Sequence, residues 1–255
     1  MTTADPVAVP PPLADSLAWA ADGQAHLRGL MSRMGDEAYT APSLLPGWTR
    51  AHVLTHIARN ADAMVNLLTW ARTGVETPAY RDRAARDADI AAGAGRSPEE
   101  IRADVVASSD RLADAVRKFP QTAWSARVRN AQGVEVPATA VPWARAREVW
   151  IHAVDLDVGA SFKDLPIPMR RVLVADVVTT LETRPGCPHV RIVEARTGQA
   201  REFGPGPATE DGDPGDLGTV RGRAPDLIAW LLGRPFGKGL RDAEGRLPPR
   251  LPDWL

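Results

Sequence analysis

Apolar residues at Leu17, Ala20, Ala21, Leu27, Leu30 and Met31 recur at helical spacing and predict a first helix from about Leu13 to Met34. The segment TAPSLLPGW, with two prolines and a glycine, breaks it. A second helix is predicted from a cap at Thr49 to a stop at Gly74. Its stripe is Val53, Leu54, Ile57, Ala61, Met64, Val65 and Leu68. A third opens at Ser97, with Pro98 in the first turn and Glu100 three positions after the serine, the pattern of a capping box. Its apolar face is Ile101, Val105, Leu112 and Val116. Alternation around Val128 and around Val134 and Val136, with Asn130 and Gly133 between, predicts a small hairpin or extended crossover. A fourth helix carries EVWIHAVDL, from Glu148 to Leu156, and ends near Gly159. Helices joined by mostly short loops make this half a four-helix bundle.

The texture changes after Gly159. MRRVLVADVVTTLETR reads as a helix, HVRIVEARTGQAREFGPG as two strands around Thr197-Gly198, and APDLIAWLLGR as a helix stopping at Gly233. PATEDGDPGDLG reads as an acidic, glycine-rich loop, and RLPPRLPDWL as a Pro-rich tail. The expected fold is mostly α with a smaller α+β part, the boundary falling near residues 158–166. The partition is a disordered Pro-rich leader over 1–12, the helical bundle over 13–160 and the small α+β domain over 161–255. The chain has no internal repeat.

Composition narrows the function classes. Lys plus Arg is 31 against 32 for Asp plus Glu, a net charge of -1, and the arginines are spread along the chain. That excludes the electrostatic footprint of a nucleic-acid binder. Eight tryptophans fit packing at helix and domain contacts, and they do not interleave with a basic patch. The single cysteine, Cys187, allows no internal disulfide and suits a reducing cytosol. No stretch approaches the roughly 18 unbroken apolar residues of a membrane helix, and the N-terminus lacks a basic region followed by an apolar run. The expectation is a cytoplasmic protein that engages neither nucleic acid nor membrane. GAGRSPEE places glycines before a helix but lacks the Lys-Ser/Thr pair of a phosphate loop.

The candidate chemistry lies in the histidines, which are His26, His52, His56, His152 and His189. Positions i and i+4 share a helix face, so Glu148 with His152, and His52 with His56, can each reach one small object. A divalent metal is a natural object for imidazole and carboxylate together, and three protein ligands leave a position for water or substrate. The bland alternative is a solvated or hydrogen-bonded pair. Val149, Trp150, Ile151, Val154 and Leu156 weigh against it, because a helix apolar over most of its circumference is buried. A buried carboxylate without a partner is expensive, so Glu148 needs an arginine, a protonated His152 or a metal. His52 falls in the first helical turn, where polar residues commonly face solvent. His56 lies deeper, beside the Val53/Asn60 edge of the stripe, and is the better ligand.

The segments LLPGWTRAHVLTHIARNADAM, RDADIAAGAGRSPEEI, WARAREVWIHAVDLDVG and DLIAWLLGR together resemble the mycothiol-dependent maleylpyruvate isomerases, members of the DinB-like metal-binding four-helix bundles. The resemblance covers most of the chain. It implies a sterol-carrier-like α+β fold for the second domain. It also implies a divalent metal, zinc foremost, held by His56, Glu148 and His152, with His52 lining the pocket of a low-molecular-weight thiol, mycothiol. The implied reaction adds a metal-bound thiolate to maleylpyruvate, rotates the resulting single bond and eliminates the thiol to leave fumarylpyruvate.

The electrophile of such a reaction is a dicarboxylic acid, so the site needs cations, and arginine's planar fork suits carboxylates. Arg86, in RDADI, and Arg234, in LLGR, are the candidates; Arg86 would serve both thiol binding and catalysis, Arg234 catalysis. Each has a plain reading as a surface arginine, and Arg234 another as a partner of its helix's last carbonyls. Asp155, three residues after His152, is either a group orienting that histidine or a solvated helix-end aspartate. Cys187, in RPGCPH, reads as an ordinary surface or half-buried cysteine. Two other functions stay open: a thiol S-transferase that leaves the thiol on its electrophile, and a non-catalytic metal- or ligand-binding protein with His52 as fourth ligand.

Overall fold

The computed structural model describes residues 10–205, 218–235, 240–242, 245 and 247–254. Most of the expected leader, residues 1–9, and the acidic loop over 207–217 lie outside them. Pro10–Ala160 forms one compact unit, and the described residues from Ser161 onward form another.

The first unit is helical. α1 (Leu13–Met31) ends three residues before Met34, where the Ser32 N–H turns back to the Arg28 carbonyl. α2 (Arg50–Thr73) starts at Thr49 and stops at Gly74, whose φ of 73° is the left-handed geometry that a helix-ending glycine supplies without a Cβ clash. α3 (Arg83–Ala94) was not foreseen from periodicity. Only Ile90 and Gly93 of it are buried, so it has no apolar stripe to read; the Asp82 carboxylate, accepting from the Ala85 N–H at 2.7 Å, starts it. α4 (Pro98–Arg117) opens with the capping box of Ser97 and Glu100. β1 (Arg127–Arg129) and β2 (Glu135–Pro137) form an antiparallel hairpin in which Val128 faces Val136. α5 (Ala140–Asp155) closes the unit.

The apolar faces meet as their spacing demands. Val53, Leu54 and Ile57 of α2, Ile101 and Val105 of α4, and Val149 and Val154 of α5 are buried almost completely. Val116, expected on the α4 core face, is only partly buried. α1 packs closely on α5. The Trp150 Nε1–H donates to the Trp19 carbonyl at 2.9 Å, and Trp19 meets Trp143 edge to face with ring centres 5.9 Å apart. Gly23 is the closest approach: a Cβ there would lie 2.5 Å from Val149 Cγ2 and 2.7 Å from Trp150 Nε1.

The second unit is α+β. α6 (Ile167–Glu182) and α7 (Ala224–Leu231) accompany a three-stranded sheet of order β4-β3-β5. β3 (Val190–Glu194) pairs antiparallel with β4 (Ala200–Phe203) and parallel with β5 (Gly218–Gly222). β5 has no alternation to mark it as a strand, because its five residues bury only Val220 and carry glycine at both ends. Among the described residues no helix is long and apolar enough to cross a membrane.

The Gly23 contact predicts a measurable cost. Alanine normally gains about 1 kcal/mol over glycine inside a helix, yet overpacking of a tight interface costs about 1–3 kcal/mol. Gly23→Ala should therefore lower the unfolding free energy in urea; a more stable variant would refute the close α1–α5 packing.

Candidate metal centre

Three side chains from two helices converge in the first unit. His56 Nε2 lies 2.8 Å from Glu148 Oε2, and His152 Nε2 lies 3.3 Å from the same oxygen. One ligand atom from each of the three falls within 4.8 Å of the others. α2 supplies His56 from its buried face; α5 supplies Glu148 and His152 one turn apart, as the i,i+4 spacing requires. The imidazoles of His56 and His152 stand edge to face, centres 4.8 Å apart, and Trp48 closes the far edge of His56 at 5.6 Å. Side-chain exposure rises from 6% at His56 through 14% at His152 to 22% at Glu148, so the cluster has one open side.

Asp155 is fully buried, which overturns its reading as a solvated helix-end residue. Its Oδ2 lies 2.9 Å from His152 Nδ1. A carboxylate on the outer nitrogen fixes the ring's orientation and leaves Nε2 for the cluster, an arrangement common behind metal-bound histidines. The Leu44 N–H donates to the Asp155 carbonyl, and Arg50 donates to the carbonyls of Leu156 and Asp157, so the end of α5 is tied down.

The charges are interlocked. Burial acts against ionised Glu148, but the adjacent His56 and the hydrogen bonds from both imidazoles hold its carboxyl well below the usual carboxylate value. Burial also acts against charge on His152; the hydrogen bonds to Asp155 and Glu148 overcome it and push the imidazole up to about 9. His56 goes the other way, since burial outweighs the pull of Glu148 and lowers its value. The cluster therefore holds one anion, one imidazolium and one neutral imidazole near neutral pH.

His52 stands apart from this group. The Thr49 side chain accepts from the His52 backbone N–H, while His52 Nδ1 accepts from the Thr49 N–H at 3.3 Å. The ring thus takes the place of the glutamate in a capping box. Arg86, on α3, reaches the centre directly: its NH2 lies 3.2 Å from His56 Nδ1, and its guanidinium lies over the Tyr80 ring. It also lines a cleft of about 290 Å³ with Tyr80, Arg59, Asp62, Asn66 and Arg81. Arg234 follows α7 in the second unit and donates to the Leu232 carbonyl at 2.6 Å, the helix-end role weighed for it.

Tyr80, Asn60 and Arg145 were not singled out from the sequence. Burial and then the Glu148 charge raise the Tyr80 phenol, against the opposing influence of Arg86 and Asn60. Arg145 is a buried cation one turn before Glu148. Its signal was available, because a helix apolar around most of its circumference leaves WARAR little solvent to face.

The donor set fits a divalent cation: two imidazole nitrogens and a carboxylate oxygen, with an orienting carboxylate behind one histidine and an open side. One contact would have to change if a cation bound there. Arg86 donates to His56 Nδ1, which leaves the proton of the neutral ring on Nε2; were Nε2 to hold a cation, the proton would move to Nδ1 and oppose the guanidinium.

Without metal, His152 makes folding pH-dependent. Its folded value of about 9 lies above the ordinary 6.5, so its contribution is complete below about pH 6.5 and is lost as pH rises through about 9. His56, lowered by burial, contributes oppositely: its stabilisation is present above the ordinary value and fades as pH falls. Urea unfolding of chelator-treated protein should show stability falling from about pH 6.5 to 9, and Asp155→Asn should flatten that fall. An unchanged slope in Asp155→Asn would contradict the assignment.

Residues 20–157 match the family described as the mycothiol maleylpyruvate isomerase N-terminal domain. None of the curated proteins matches the chain. Two solved structures are similar to it, one of the mycothiol-dependent maleylpyruvate isomerase and one of a histidine-to-alanine mutant of that enzyme. Each is 34% identical, superposes with a TM-score of 0.88, and pairs 96% of this chain with 98% of the other. With the matched domain covering more than half its length and the likeness running through both units, the chain belongs to the mycothiol-dependent maleylpyruvate isomerase family.

Proposed function

We propose that the chain is a cytoplasmic cis-trans isomerase that converts maleylpyruvate to fumarylpyruvate with mycothiol and a divalent metal, zinc foremost. The observation that carries this reading is the convergence of His56, Glu148 and His152 on one open-sided point, in a chain of this family. His56, Glu148 and His152 would hold the divalent ion, which would supply the acidity that keeps a thiol ionised at neutral pH.

The residues of the chain do the rest. Glu148 neutralises part of the cation's charge and, as the hardest donor of the three, favours a hard or borderline ion. Asp155 holds His152 in the tautomer with Nε2 available. Trp48 and the apolar α2 and α5 faces keep water from most of the centre. Arg86 is the cation proposed to meet a substrate carboxylate, since it lies at the edge of the centre and lines the adjacent cleft. Arg234 is the second proposed cation, on the likeness of LLGR to the family. His52 is proposed to face the thiol with Nε2, its other nitrogen being spent on the helix cap.

Two experiments test the reading. Metal analysis of purified variants should find metal lost in His56→Ala and retained in His52→Ala; the reverse result would overturn the ligand assignment. With mycothiol below the substrate concentration, maleylpyruvate should be converted completely with the thiol recovered. A stable thiol adduct, with thiol consumed in proportion, would make the protein an S-transferase instead. Arg86→Met and Arg234→Met should each raise KM for the dicarboxylate, and an unchanged KM removes that arginine from the site.

A further inference from the structure

Arg145 is nearly inaccessible, with 3% of its surface exposed, and the hydrogen-bond partners of its guanidinium among the described residues are neutral. NH1 donates to the Ile57 carbonyl and to Asn60 Oδ1, each at 2.8 Å, and NH2 donates to Gln24 Oε1 at 2.8 Å. A buried charge is costly, and a well-packed apolar side chain is often as stable or more so. Burial lowers this guanidinium to about 10, so it stays charged at neutral pH. Stability alone gives no reason for it to be there.

Its position does. Arg145 lies one helical turn before Glu148 on α5, and it grips α2 at Ile57, the residue after His56, and at Asn60. The third bond runs to Gln24 on α1. One rigid fork therefore ties the helix carrying Glu148 and His152 to the helix carrying His56, beside the place where those side chains meet. The Glu148 charge is the largest favourable influence on the arginine, so clamp and cluster feel each other.

We propose that Arg145 is a positioning residue that sets the α2–α5 spacing at the centre, and so the separation of His56 from Glu148 and His152. The inference rests on the cluster being a metal site. NH1 makes both α2 bonds while NH2 reaches α1, so the single nitrogen of a lysine would not span all three acceptors.

The test compares wild type, Arg145→Lys, Arg145→Met and Asn60→Ala, each shown to be helical by circular dichroism. Zinc affinity is read by competition with a chromogenic chelator, and the His56 Nε2–H resonance is read by NMR in metal-free protein. Loss of an outer partner of a metal site typically weakens affinity about 10- to 100-fold. We expect a loss of that order in both Arg145 variants, a several-fold loss in Asn60→Ala, and broadening or loss of the Nε2–H signal. Variants that bind zinc like wild type and keep the signal, with only a lower Tm, would overturn the proposal. If neither Arg145 variant folds, Asn60→Ala decides: several-fold weaker binding supports the clamp and unchanged affinity refutes it. Wild type that takes up no zinc refutes the metal reading; a signal that then persists in the variants refutes the clamp separately.

Discussion

Glu148 carries a negative charge among apolar side chains, where water solvates only part of it. The surrounding structure is arranged to offset that cost. Two imidazoles from two helices close on one of its oxygens, Asp155 stands behind one of them, and Arg86 touches the outer nitrogen of the other. Each contact fixes a ring orientation or a proton, so the cost of one buried carboxylate specifies the geometry of the whole centre. The same negative charge also favours the ionised form of Arg145 one turn away.

The two halves of the molecule contribute differently. The Pro10–Ala160 unit contains the entire His56–Glu148–His152 cluster, and the matched family domain falls within it. The described part of the second unit is a three-stranded sheet with α6 and α7, and it carries Arg234 and the buried Cys187. Burial raises that thiol, so it does not behave as an activated nucleophile. This agrees with a reaction whose thiol comes from outside the chain.

Much of the bundle was legible in the sequence because its boundaries have local chemical causes. Thr49 and Gly74 bracket α2, Ser97 and Glu100 open α4, and Val128 with Val136 mark the hairpin. α3 was not legible, since an alanine-rich helix burying little but Ile90 has no period to detect; nor was β5, which needs β3 beside it to be a strand. In the centre, the i,i+4 pair Glu148/His152 could be read directly. The choice between His52 and His56 depended on depth, and the structure shows why they differ: one caps its helix and the other faces α5. The apolar surroundings of WARAR pointed to burial of Arg145 but not to its partners, and the side Asp155 takes was not legible, because the contacts of one polar residue on an apolar helix are a tertiary fact. Both face inward only once α2 and α5 are packed.

The central claim is that His56, Glu148 and His152 hold a cation with a position left for an external thiol. X-ray absorption at the zinc edge, on zinc-loaded protein with and without mycothiol, tests it most directly. The account predicts a shell of nitrogen and oxygen only without thiol, and one sulfur at about 2.3 Å when mycothiol is added. An unchanged shell on adding mycothiol, or a sulfur already present without it, would contradict the account.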